Sequence, residues 1–296
     1  MDQIKESGNR NLLILHLTVF IWGFTGILGA LISISAVQMV WYRVLIACIT
    51  LFGYFIISKT NIKITRVQFL KFFFTGSIVA IHWIFFFHAI KVANVSVGLI
   101  CLSSVTLFTS IIEPTIKKQQ ISKGDIFIGL VIILGIYLIF KFETNYTIGI
   151  IFGLSSALAA SLFSTINSTL VQKNNPSVIG FYELIGAFFW ISLYRLFDKS
   201  LLNETFNLSF SDWSYLLILG TICTALAYVA GVSVMRTISA FRVALITNLE
   251  PVYGIVIAFL LFGNREQMTG GFYLGSLLIL AAVFIYPIYK KRKNKA

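Results

Sequence analysis

Four side chains able to carry charge or a proton fall in long runs that are otherwise apolar: Arg43, His82, Glu183 and Glu250. Glu250 is followed at once by Pro251, inside the run Ala244-Leu245-Ile246-Thr247-Asn248-Leu249-Glu250-Pro251-Val252-Tyr253. Proline cannot donate to a helix ladder, so Pro251 kinks the helix and frees the carbonyl of Thr247. An acid beside a freed carbonyl suits a polar substrate or a proton; the plainer alternative is an acid satisfied by helix packing beside a simple kink. Arg43 offers a planar fork that fits a carboxylate or phosphate, unless it snorkels to headgroups. His82 could titrate near neutral pH and relay a proton, or it bonds between helices, with Phe85 and Phe86 on its helical face. Trp22, Tyr42, Tyr182 and Asn248 complete the candidate binding set, with packing as the alternative for Trp22. His16 and His88 read as interfacial.

These residues need elements to hold them, and composition says which. The chain of 296 residues is 58% hydrophobic and 11% charged, with a mean hydropathy of +0.90. Runs of about 20 apolar residues are long enough to cross a hydrocarbon core of about 30 Å. Ten occur, at roughly 12–32, 37–58, 69–89, 95–114, 124–140, 147–170, 178–197, 214–234, 240–262 and 270–288. Only residues 198–213 leave a loop of any length. The expected class is an all-α polytopic membrane protein. The net charge of +12 would suggest nucleic acid in a soluble protein, but 17 of the 23 Lys and Arg residues fall on one side of the ten spans. That asymmetry places both termini in the cytoplasm. The C-terminal Lys290-Lys291-Arg292-Lys293 run is an anchor for that topology, or attracts anionic lipid. The first span is too long for a signal core and is followed by nine more, so it is expected to be retained. Cys48, Cys101 and Cys223 all lie within spans and suggest neither a disulfide framework nor a metal pair.

The chain also repeats itself. Lys91 set against Arg236 aligns a basic residue, a long apolar helix, a short polar break and a glycine-marked helix in residues 91–139 and 236–286. Trp41-Tyr42-Arg43 likewise matches Phe181-Tyr182-Glu183. Five spans per copy is an odd number, so the second copy enters the membrane from the opposite side, giving two inverted repeats, 1–142 and 143–296, around a central cavity. In this register Arg43 faces Glu183, while Glu250-Pro251 faces Val105-Thr106 rather than the similar Glu113-Pro114. Glu250 lies about 15 Å deep, near the midplane. Arg43 and Glu183 are separated in depth by roughly 13 Å, too far for direct pairing, so each is expected to face the cavity from its own half.

Trp22-Gly23-Phe24, Tyr42-Arg43, Ala89-Ile90-Lys91 and the run from Ala244 to Tyr253, continuing to Phe262-Gly263-Asn264, resemble an EamA-type member of the drug/metabolite transporter superfamily. Asn264 stands where that family often has a glutamate. The resemblance covers nearly the whole chain as two tandem copies. It implies ten helices in two inverted halves, alternating access, and substrates ranging from amino acids and sugars to nucleotide-linked metabolites and drugs. The expected function is secondary-active transport, as an exporter, of a small polar or amphipathic metabolite such as an amino acid, in the inner (cytoplasmic) membrane. The alternatives are an intramembrane lipid-modifying enzyme and a non-transporting membrane scaffold. No HExxH, GxGxxG, GxSxG or P-loop motif occurs, so no enzyme activity, catalytic residue, cofactor or metal is expected. The expected partners are a small-molecule substrate, the lipid bilayer and a coupling proton or exchanged solute, with no nucleic acid and no soluble partner.

Overall fold

Short polar side chains ahead of each apolar run start the helices. Ser35, Asn94, Ser209 and Ser239 each accept a backbone N–H three residues on. Thr65 and Gln68 form a reciprocal capping box, and Asn175 precedes Pro176 at the first helical position. Each such cap satisfies an N–H that the helix itself leaves bare. The result is a bundle: α1 (Asp2–Leu31), α2 (Ala36–Ser58), α3 (Arg66–Val92), α4 (Val95–Leu102), α5 (Val105–Ile116), α6 (Lys123–Phe142), α7 (Thr147–Leu170), α8 (Pro176–Phe197), α9 (Phe210–Gly220), α10 (Ala227–Val234), α11 (Ala240–Thr247), α12 (Leu249–Phe262) and α13 (Gly270–Lys293). The structure, a computed structural model, describes residues 2–120, 123–198 and 208–293, and no strand occurs among them.

Eight helical stretches are long and apolar enough to cross a membrane, while Phe127–Phe142 and Gly270–Ala282 are shorter apolar helices. Ten equal crossings were the expectation; among the described residues, length and apolar character support eight. The two shorter helices, α6 and α13, pack on one another around Ile132, Ile139, Phe272 and Ile279. Outward-facing Ile57, Leu196, Phe210 and Leu260 present the apolar surface that hydrocarbon would cover. The expected 198–213 loop lies mostly outside the described residues, as do the side chains of the basic C-terminal run.

Two runs expected as single helices are broken. The helix from Val95 stops at Leu102 and resumes at Val105; the helix from Ala240 stops at Thr247 and resumes at Leu249. Both first segments have eight residues, and their starts are 145 positions apart, the same offset that pairs Lys91 with Arg236. Pro251 falls in the first turn of α12, so the interruption lies just before it, at Asn248. The breaks are tied together where Asn248 Nδ2 donates to Thr106 Oγ1 at 2.7 Å. Their ends are tied reciprocally. Glu113 on α5 accepts the backbone N–H groups of Ala240 and Phe241, at 3.3 and 2.7 Å. Glu266, just beyond α12, accepts those of Val95 and Ser96, at 3.1 and 2.9 Å. Each helix start is capped by an acid from the far end of the other, so the two broken helices run antiparallel.

Close crossings fix α2 and α8. A Cβ on Gly76 of α3 would lie 2.1 Å from the Glu183 carbonyl oxygen, and one on Gly220 of α9 would lie 3.1 Å from that of Arg43. Only glycine lets backbones meet this closely.

Candidate functional site

A cavity of about 820 Å³, counted out to its open side, lies between these crossings. Trp22 and Thr25 of α1, Arg43 of α2, His82, Trp83 and Phe86 of α3, Tyr228 of α10 and Glu250 of α12 all line it. Three ionisable side chains expected at different depths thus share one space. The walls are mostly apolar and aromatic with a few convergent polar groups, as ligand pockets are.

Arg43 is 2% exposed, which rules out snorkelling to headgroups in this structure. Its Cζ lies 4.2 Å from the Trp83 ring centroid and 5.4 Å from that of Phe87, both in cation–π range. Nε donates to Thr224 Oγ1 at 2.5 Å. Thr224 sits in a π-helical turn, Thr221–Leu226, between α9 and α10, and its hydroxyl in turn donates to the Leu219 carbonyl at 2.6 Å. Such turns shift a side chain out of α-helical register and often mark functional positions. Among the described residues no acceptor reaches the two terminal guanidinium nitrogens. Nor does any donor reach the Glu250 carboxylate. Among the described residues no N–O contact within 4.0 Å joins Arg43 to Glu250, though both line the cavity.

His82 is held by Ser156 of α7. Its Nδ1 lies 3.0 Å from the Ser156 carbonyl and 2.8 Å from the hydroxyl, and the hydroxyl donates to the His82 carbonyl at 2.9 Å. A carbonyl only accepts, so Nδ1 carries the hydrogen. His82 therefore combines both readings: an interhelical bond on one nitrogen and a place in the cavity wall.

Glu183 departs from expectation. It is fully buried and does not line the cavity. Tyr228 lines it instead, and its hydroxyl donates to Glu183 Oε2 at 2.7 Å. Among the described residues no ion pair joins Glu183 to Arg43. Tyr42 packs edge-on against Trp41 and Trp213, and the Tyr182 hydroxyl donates to the Ile62 carbonyl at 3.1 Å. Neither lines the cavity, nor does Asn248, which ties the breaks together. Thr224, Trp83, Tyr228 and Asn167 were not singled out from sequence. Only Thr224 had a signal, as a hydroxyl in an apolar run, and nothing in the sequence foretells the π turn that presents it.

The sequence model of the EamA-like transporter family matches residues 10–141 and again 147–286. The chain belongs to this family. The first EamA-like match contains Trp22, Arg43 and His82, and the second contains Tyr228 and Glu250, so the cavity is built from both. A curated relative from Archaeoglobus fulgidus, an uncharacterized transporter, is 25% identical over 154 residues, 52% of this chain and 53% of the relative. The chain thus spans about half the length of the curated relative it matches. A solved structure described only as "Crystal structure of protein" has the same fold, with a TM-score of 0.70 at 13% identity over 95% of this chain and 98% of that one. Family and apolar helices together make this an integral membrane protein.

Proposed function

We propose that this EamA-like protein is a secondary-active transporter that exports a small polar or amphipathic metabolite, an amino acid first, by alternating access. Arg43 carries this reading. Its guanidinium is positioned by Trp83 and Thr224 while its two terminal nitrogens lack a protein acceptor, which leaves the bidentate face free for a carboxylate. Glu250 lines the same cavity without a donor of its own, a complementary place for an ammonium group. Trp22, Trp83 and Phe86 supply apolar walls for a side chain.

The proposed architecture is two inverted five-helix repeats, 1–142 and 143–296, with both termini on the cytoplasmic side of the inner membrane. The antiparallel broken helices with reciprocal caps, and the paired glycine crossings at Arg43 and Glu183, support it. The cavity lining extends to Met235 and Ala240, at the loop from α10 to α11. The charge asymmetry supports a cytoplasmic position for that end. The opposite end is tied by Lys91 Nζ on the Ile32 carbonyl and by Asp212, which accepts from Ser33 N and Oγ at 2.8 and 2.7 Å. A cavity whose lining reaches the proposed cytoplasmic end fits loading from the cytoplasm. The test is a whole-cell comparison of retained and released metabolites with the wild-type chain, with Arg43→Ala and without the chain. A solute released only with the wild type supports export; identical profiles in all three refute it.

A further inference from the structure

Hydrogen-bond accounting around Glu183 is short by one hydrogen. Oε2 accepts from Tyr228 Oη at 2.7 Å and from Asn167 Nδ2 at 3.1 Å. Oε1 is buried without a partner, and so is Asn167 Oδ1. With the acid ionised, both atoms only accept, and neither can satisfy the other. Two orphaned acceptors and an unpaired buried charge would be a costly arrangement. A proton on Oε1 resolves all three. The acid hydroxyl would then have Asn167 Oδ1 as its acceptor while the amide donates to Oε2, the pairing of a carboxylic acid with a primary amide.

The surroundings supply no other answer. From α7 Glu183 meets the neutral Asn167, from α10 the phenol of Tyr228, and from α3 the backbone at Gly76. From α2, Phe52 and Phe55 pack on the neighbouring Phe181. Arg43 and His82 line the cavity, as Tyr228 does, but neither is bonded to Glu183. The ion pair found among the described residues is Lys117 with Glu113.

We propose that Glu183, Asn167 and Tyr228 form a proton-binding site, with Glu183 carrying the proton and Tyr228 joining it to the cavity. The protonation is independent of the transport reading; its use as the coupling ion rests on that reading. Loading follows the 2.7 Å bond. As the phenolic proton moves to Oε2, Tyr228 Oη takes one from the cavity, so the phenol stays neutral and the net change is one proton onto the carboxylate. The carboxyl then turns about Cγ–Cδ to present its hydroxyl to Asn167.

The test is infrared spectroscopy of the full-length protein in lipid, titrated across its stable pH range. A protonated-carboxyl C=O band should be present, vanish in Glu183→Gln, and persist in Glu250→Gln. It should disappear at alkaline pH, at a midpoint that moves in Tyr228→Phe. No band sensitive to Glu183→Gln, or a band that pH never removes, overturns the proposal. Tyr228→Phe keeps it falsifiable should Glu183→Gln not fold. For coupling, vesicles are loaded with a radiolabelled amino-acid mixture. An imposed pH gradient should change wild-type flux several-fold and Glu183→Gln flux not at all. Wild-type flux that ignores the gradient overturns the coupling and leaves transport standing. Vesicles that move no solute under any gradient sink the transport reading and the coupling with it, while the infrared result still decides the protonation.

Discussion

Arg43 rests on Trp83 rather than on an acid, its Cζ 4.2 Å from the ring centroid. A guanidinium stacked on an indole is oriented without being neutralised. Its Nε is fixed by Thr224 at 2.5 Å, and no acceptor among the described residues reaches the terminal fork. Arg43→Lys keeps a positive charge but loses the fork and the stacked plane. Removing a charged hydrogen bond is worth about 1.5–3 kcal/mol, roughly 10- to 100-fold. Transport at matched membrane expression should fall by that order. Wild-type flux in Arg43→Lys would show that charge alone suffices.

Thr224 separates positioning from binding. Thr224→Val keeps the shape and deletes the oxygen that Arg43 Nε uses, while Thr224→Ser keeps it. Half-saturation for the transported solute should rise about 10-fold in the valine variant, for a bond of roughly 1.5 kcal/mol, and recover with serine. Equal loss in both variants would trace the effect to packing of the π turn instead.

Glu250→Gln should lower transport while leaving membrane insertion normal, because Glu250 faces the cavity without a protein donor to lose. Flux is measured over a range of pH at equal surface abundance. Wild-type flux at every pH would return Glu250 to a packing role.

Gly76 and Gly53 make a stability pair. Gly76→Ala puts a methyl 2.1 Å from the Glu183 carbonyl oxygen, whereas a Cβ at Gly53 meets nothing within 4 Å. The first should destabilise by about 1–3 kcal/mol. The second should be neutral or stabilising by up to about 1 kcal/mol, from helix propensity. Thermal unfolding in detergent distinguishes them, and a Gly76→Ala protein as stable as wild type would mean that α3 and α8 separate easily.

Much of the fold was legible because apolar length acts locally. Spans read as beginning near residues 37, 95 and 240 form helices that start at Ala36, Val95 and Ala240, and the last two starts share the offset of Lys91 and Arg236. The site was half legible. Arg43, His82, Trp22 and Glu250 stood out as polar or aromatic residues in apolar runs, and all four line the cavity. Depth along a span says nothing about rotation around it, so Glu183 was placed in the cavity when Tyr228 occupies that position. Tyr42 and Tyr182 were chosen for their neighbours in sequence, yet they face aromatic packing and a loop carbonyl. Trp83 was lost in an aromatic run, and Thr224 depends on a π turn that no local pattern encodes.

The two reciprocal caps are equal in geometry but unequal in time. Ala240 meets Glu113, 127 positions earlier in the chain, so that acid is already made when α11 leaves the ribosome. Val95 must wait for Glu266, 171 positions later. At about 5–20 residues per second, that is roughly 10–30 s of synthesis with the start of α4 bare. The first half is therefore assembled early but finished late. A nascent chain cut off between Val95 and Glu266 leaves the Val95 and Ser96 N–H groups without that acid.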